Sequence, residues 1–209
     1  MKRIGLTHRV DDIEAYGERR DSIDQGWYKL VLSMGMLPIP LPNVPEEFVV
    51  HVVESLNLSG IILTGGNSIA CLDSTAKDAA PERDEFENAL IRYSLDSDIP
   101  LIGVCRGMQM ISQYFGGHLI RVEGHINSRH ELICLNSEYE LPKSVNSFHG
   151  WAVPKTGLGC DLQPIATDSM GNIEAFIHGS RKILGIMWHP ERVNDLNVQD
   201  VNLLKRAIL

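Results

Sequence analysis

The sequence predicts an α/β fold: an open, mostly parallel central sheet flanked by helices, in one domain over residues 1–209. Three observations predict it. Short apolar runs alternate with segments of helical periodicity. A Gly-x-Cys-x-Gly turn joins one of those runs to a helix. The length, 209 residues, suffices to bury a substantial core without disulfide staples.

In chain order, residues 3–7, 37–41, 60–63 and 100–104 read as short buried strands. Between them, Trp27, Leu30, Val31 and Met34 recur at i, i+3, i+4 and i+7, as do Phe86, Ala89, Leu90 and Tyr93, so each segment buries one helical stripe against a sheet. Strand, helix, strand implies parallel pairing. Pro38, Pro40, Pro42 and Pro45 mark a strand end and a turn rather than a domain boundary. From Gly117 onward the pattern changes to short strands at residues 130–135, 162–167, 173–177 and 183–187, and a helix over 198–208 closes the chain.

Cys105 stands directly after the strand at 100–104 and before a helical segment, in the run Gly103-Val104-Cys105-Arg106-Gly107-Met108-Gln109. This is the pattern of a nucleophile elbow, in which glycines on both sides let the backbone turn sharply and expose the central side chain at the carboxyl edge of the sheet. The amino terminus of the following helix favours a thiolate. Downstream, the strand at 183–187 runs into Trp188-His189-Pro190-Glu191. Two adjacent parallel strands deliver their ends to one edge, so His189 can meet Cys105 and take its proton. Pro190 biases His189 towards extended backbone, which puts Glu191 on the same side to orient the imidazole. Stabilising the oxyanion needs backbone N–H donors. The peptide after the nucleophile, Arg106, and Gly66 in the turn after the third strand are the candidates.

The runs at 103–109, at 188–191 and at 63–67 (Leu-Thr-Gly-Gly-Asn) together resemble the class I glutamine amidotransferase superfamily, and more narrowly its gamma-glutamyl-GABA hydrolase branch, the peptidase C26-like group. Residues 62–66 carry Ile-Leu-Thr-Gly-Gly in place of the Pro-Gly turn of anthranilate synthase type subunits. Arg83, Asp84 and Glu87, the run Val145-Asn146-Ser147-Phe148-His149, and Ile173-Glu174-Ala175 are similar to the same branch. The matches keep their order over nearly the whole chain. The resemblance implies a flavodoxin-like three-layer sandwich. It also implies a cysteine hydrolase that cleaves a gamma-glutamyl amide through a glutamyl thioester, with Cys105, His189 and Glu191 as its triad and no cofactor. Gln109, one helical turn past Cys105, is implied to contact the glutamyl group. Asn146, Ser147 and His149 are implied to border its pocket, and Glu174 to hold a charged part of the substrate.

The segment 7–27 reads as a loop at the carboxyl edge, and it is rich in arginine: Arg9, Arg19 and Arg20. Arginines there can clasp phosphate, which points to an amine carried on a phosphorylated or nucleotide-like compound; among members of the broad family, the gamma-glutamyl-CDP-amidate hydrolases resemble this pattern. A salt-bridged surface loop is the competing reading of Arg19 and Arg20. Glu82-Arg83-Asp84-Glu85 after Pro81 reads as the solvated first turn of a helix. His118, His125, His130 and Cys134 fit no zinc-module spacing, so no metal site is expected.

A net charge of -8 argues against nucleic acid as partner. No apolar run approaches a membrane span, and Met1-Lys2-Arg3-Ile4-Gly5-Leu6 is no signal peptide. Cys71, Cys105, Cys134 and Cys160 lack a C-x-x-C pair, which fits a reducing cytoplasm. The expected partner is a small-molecule gamma-glutamyl substrate. The competing function is a glutaminase subunit supplying ammonia to a separate synthase, since the chemistry is shared until the nitrogen leaves; a synthase partner or a homodimer is compatible with the sequence. A binding or sensor protein of similar fold fits less well, because Cys105, His189 and Glu191 are all present.

Overall fold

Residues 1–73 and 75–209 are described by a computed structural model. The strands are β1 (Arg3–Thr7), β2 (Arg9–Ile13), β3 (Glu18–Ser22), β4 (Leu37–Leu41), β5 (Gly60–Leu63), β6 (Leu101–Val104), β7 (Ile120–Arg121), β8 (Ile126–Glu131), β9 (Ile133–Cys134), β10 (Ser144–Phe148), β11 (Trp151–Ala152), β12 (Leu162–Thr167), β13 (Ile173–His178) and β14 (Ile183–Ile186). The α-helices are α1 (Gly26–Ser33), α2 (Val49–Ser55), α3 (Pro81–Ser97), α4 (Arg106–Tyr114) and α5 (Val198–Ile208).

Eight strands form the central sheet in the order β4-β1-β5-β6-β14-β13-β12-β9. β4, β1, β5, β6 and β14 run parallel, and β13, β12 and β9 continue the sheet antiparallel. The strand alternation sends side chains to two apolar layers. Ile4, Leu6, Ile62, Ile102, Val104, Leu184 and Ile186 pack with Trp27, Leu30 and Val31 of α1 and Leu203, Leu204 and Ile208 of α5. Ile61, Leu63, Leu101 and Ile183 pack on the opposite face with Val53 of α2, Phe86, Leu90 and Ile91 of α3, and Met108 and Ile111 of α4. The result is the helix–sheet–helix sandwich that the alternating pattern predicts. Pro38 and Pro40 lie on the edge strand β4, where a missing N–H is tolerated.

Two expectations change. The segment 7–27 is not a loop: β2 and β3 pair as an antiparallel hairpin, with Asp12 opposite Arg19. Cross-strand charge pairing holds a ribbon whose residues are mostly polar, which hides its alternation. The single strand read at 130–135 is two strands in different sheets, since β8 pairs with β10 and β9 with β12. Leu132 between them donates its N–H to the Lys143 carbonyl, and the chain changes sheet there. No helix among the described residues is long and apolar enough to cross a membrane.

Candidate active site

Strands β6 and β14 are adjacent and parallel, with Val104 opposite Ile186, so Cys105 and His189 emerge at the same carboxyl edge. Cys105 sits in the turn between β6 and α4 with φ 52° and ψ -106°, a conformation uncommon for any residue but glycine. The strain is held by packing on both sides. A Cβ on Gly103 would lie 2.5 Å from the Gly107 backbone, and one on Gly107 would lie 2.2 Å from the Leu63 carbonyl oxygen, so β5, β6 and α4 close up only with glycine at both positions. The Cys105 N–H donates to the Ile186 carbonyl at 2.8 Å, which ties the elbow to the strand carrying His189.

His189 Nδ1 is 2.6 Å from Glu191 Oε1, and both side chains are buried. Because the carboxylate only accepts, the proton lies on Nδ1, which leaves Nε2 for the cleft that His189 shares with Cys105. Burial opposes the charged imidazolium, but the adjoining negative charges of the Cys105 thiolate and Glu191 outweigh it and push His189 up to about 9. The ring also meets Phe148 edge to face, with centroids 5.6 Å apart.

The turn after β5 borders the same cleft as Cys105. Gly66 has φ +87°, open to glycine, and its N–H makes no hydrogen bond among the described residues. The Arg106 N–H opens α4 and has no partner inside the helix. Both residues line the cleft that contains Cys105 and His189.

The Arg83 side chain organises that turn. It donates to the carbonyls of Thr64 at 2.7 Å, Gly65 at 3.1 Å and Gly66 at 2.7 Å, and to Glu87 Oε1 at 2.9 Å. Glu87 also accepts from Thr7 Oγ1 at 2.8 Å and pairs with Arg106, which pairs in turn with Asp84. Burial opposes the Glu87 carboxylate, yet Arg106 and Arg83 outweigh it and hold its pKa below the usual range. The reading of 82–85 as a solvated face is therefore corrected at Arg83, which is fully buried. The helix turns Arg83 and Glu87, four residues apart, inward together. The Arg106 guanidinium points into this network.

Of the residues expected to bind substrate, Gln109 and His149 line the cleft. The Gln109 amide donates to the Trp151 carbonyl at 3.0 Å, and His149 Nδ1 lies 2.9 Å from the same oxygen. The others do not line it. Asn146 is turned to the backbone of His189: its Oδ1 accepts the His189 N–H at 2.8 Å and its Nδ2 donates to the His189 carbonyl at 2.8 Å. Ser147 is fully buried and donates to the His125 carbonyl at 2.7 Å. Glu174 is fully buried beside His130 and His149. Arg19 pairs with Asp12 and Glu82, and Arg20 with Glu18, outside the cleft. The hairpin pairing directs them there.

Arg9 does line the cleft, joined by Arg121 and Arg192, which the sequence did not single out. Arg121 stacks on the Trp151 ring at 4.2 Å and Arg192 on Phe148 at 4.9 Å. These three side chains come from β2, β7 and the segment after Glu191, so only the fold brings them together. Nor do His118, His125, His130 and Cys134 gather into one group. Cys134 is exposed on β9, its thiol 3.2 Å from the Asn136 carbonyl. His118 stands against Gly157, while His125 and His130 lie together, their rings 5.0 Å apart.

The family model for peptidase C26 matches residues 4–139 and 122–191. A gamma-glutamyl-CDP-amidate hydrolase of Campylobacter jejuni subsp. jejuni serotype O:2 is 34% identical over 206 residues, covering 97% of this chain and 95% of the relative. A glutamine-hydrolyzing GMP synthase subunit of Methanococcus aeolicus is 28% identical over 169 residues, covering 78% of this chain and 81% of that one. Among solved structures, a putative GMP synthase subunit of Thermoplasma acidophilum superposes with a TM-score of 0.71 at 20% identity, over 100% of this chain and 94% of the other.

Proposed function

Since the chain belongs to the peptidase C26 family, we propose that it is a cysteine hydrolase of gamma-glutamyl amides, with Cys105, His189 and Glu191 as the catalytic triad. The observation that carries the reading is the buried His189–Glu191 pair sharing one cleft with Cys105 at the edge of two adjacent parallel strands. The Cys105 thiolate attacks the amide carbonyl carbon while the N–H groups of Arg106 and Gly66 stabilise the oxyanion. The protonated His189 gives its proton to the leaving nitrogen, the C–N bond breaks, and a glutamyl thioester remains. Neutral His189 then takes a proton from water, which attacks the thioester; the C–S bond breaks, releasing glutamate and restoring the thiolate–imidazolium pair. Gln109 and His149 border the glutamyl pocket. Asn146 acts through His189 as a positioning residue.

The leaving amine is assigned to a phosphorylated or nucleotide amidate such as gamma-glutamyl-CDP. Arg9, Arg121 and Arg192 supply guanidinium groups for an anionic leaving group, and the near full-length similarity to the Campylobacter jejuni protein supports the same class. Similarity to the Methanococcus aeolicus GMP synthase subunit favours a second reading, a glutaminase that passes ammonia to a synthase. The purified chain alone, given glutamine, gamma-glutamyl-GABA and gamma-glutamyl-CDP amidate, separates them. Rapid glutamate release from the CDP amidate supports the first. Release only after a synthase is added supports the second. The Cys105→Ala variant should lose on the order of 10⁶-fold in kcat, and turnover retained in it would rule out the thioester route.

A further inference from the structure

Behind the wall of the cleft, three side chains with no part in the proposed hydrolysis, apart from the bordering His149, converge from separate segments. His125 precedes β8, His149 follows β10, and Glu174 is the second residue of β13. All three are buried, and one ligand atom from each lies within 4.8 Å of the others. His149 Nε2 is 3.8 Å from Glu174 Oε1. His125 Nδ1, His149 Nε2 and both carboxylate oxygens of Glu174 make no hydrogen bond, although such atoms are costly to bury unpartnered.

Partners on the outer side fix what each residue presents inward. The Trp151 carbonyl 2.9 Å from His149 Nδ1 only accepts, so Nδ1 carries the proton and Nε2 offers a lone pair to Glu174. His125 turns Nε2 to Asp168 Oδ2 at 3.6 Å, which leaves Nδ1 for the interior. His130 Nε2 stands 3.2 Å from Glu174 Oε2, at ion-pair distance without hydrogen-bond alignment, and leaves Oε1 on the side of His149. An inner set of acceptors backed by carbonyl, carboxylate and imidazole partners is the arrangement that orients metal ligands.

We propose that His125, His149 and Glu174 form a binding site for a divalent transition-metal ion of the zinc type, with water as the fourth ligand. Two imidazoles and one carboxylate are an established tetrahedral donor set. Donors at zinc bonding distances of about 2.0–2.2 Å stand roughly 3.4 Å apart in that geometry, against 3.8 Å between His149 and Glu174 and up to 4.8 Å over the three donors, so the side chains draw inward when the ion binds. The ion would cross-link the approach to β8, the exit of β10 and β13, and would hold His149 from behind. It differs from the sequence expectation of no metal because His149 and Glu174 join His125 from far along the chain. The ion takes no part in the bond-breaking steps proposed above, and His149 is the one residue that the two sites share.

The test uses the Cys105→Ala chain, so that the cleft thiol is gone and cannot join His189 in holding the ion. After dialysis against chelator, this protein should take up one equivalent of Zn²⁺ by calorimetric titration and melt at a higher temperature with the ion present. Its Co²⁺ form should show tetrahedral ligand-field bands without thiolate charge transfer. Glu174→Gln and His125→Asn should each weaken binding by more than about 100-fold, and Asp168→Asn by about 10–100-fold. No stoichiometric uptake, a sulfur-ligated cobalt spectrum, or binding unchanged in Glu174→Gln and His125→Asn would each overturn the proposal. Should those variants fail to fold, the cobalt spectrum of the chain with intact ligands decides alone.

Discussion

Asn146 spends its whole side-chain amide on the backbone of a single residue, His189. Replacement by alanine leaves the buried His189 N–H unpartnered, at a cost of about 1–3 kcal/mol, while the His189 carbonyl keeps the Arg192 N–H at 3.2 Å. Asn146→Ala should therefore melt earlier and lose kcat with KM nearly unchanged, as steady-state kinetics and thermal unfolding will show. His189 itself is pushed up to about 9 against its ordinary value near 6.5. A folded pKa above the unfolded one means that the charged imidazolium contributes stability fully present below about pH 6.5 and lost as pH rises through about 9. In Cys105→Ala the thiolate is gone while burial remains, so the ring resonance followed by NMR should titrate at lower pH than in the parent. Cys105, His189 and Glu191 were legible because a short spacing within each motif sets their geometry. Asn146, Ser147 and Glu174 were legible only as a resemblance; which way each side chain turns from its strand depends on register, and here register turns them from the cleft.

At the scale of elements, the turn at 64–67 is held by a helix far from it in sequence. Arg83 gathers the carbonyls of Thr64, Gly65 and Gly66, and Glu87 links the same helix to Arg106 at the start of α4. Removing Arg83 leaves Glu87 with Arg106 as its one cationic partner and strips three carbonyls of their donor, and breaking a buried ion network in this way costs about 3–5 kcal/mol. Arg83→Met should lower the melting temperature, and kcat should fall as well because the Gly66 N–H loses its placement; unaltered kcat in a folded variant would show that the turn holds itself. The strands and helices with clear periodicity, such as β5, β6, α1 and α3, follow from the sequence. The β2–β3 hairpin does not, because Arg-Val-Asp-Asp-Ile and Glu-Arg-Arg-Asp-Ser carry charge on both faces. Nor does α2, whose Val-Val-His-Val-Val core suits a strand locally and becomes helical through packing of Val49 and Val53. Two-residue strands such as β7 and β11 exist only through their partners.

In the whole molecule, the adjacency of β6 and β14 is what unites residues 105 and 189; the sequence shows that such an adjacency would bring them together, but strand order is set by the fold. The meeting of Arg9, Arg121 and Arg192 is not readable in the same way, since no periodicity links them. The sheet also has an outer boundary at β4. The Leu37 N–H points inward to the Lys2 carbonyl, and alternation along a parallel strand sends the amide positions of residues 38 and 40 outward. Both outward positions are proline, so this margin offers carbonyl oxygens to a newcomer but no amide hydrogen. A visiting strand would find half of its ladder missing, which protects the protein against growing by strand addition as it accumulates. The double variant Pro38→Thr, Pro40→Thr should restore the missing donors, and light scattering at high concentration should then rise while the parent stays dispersed.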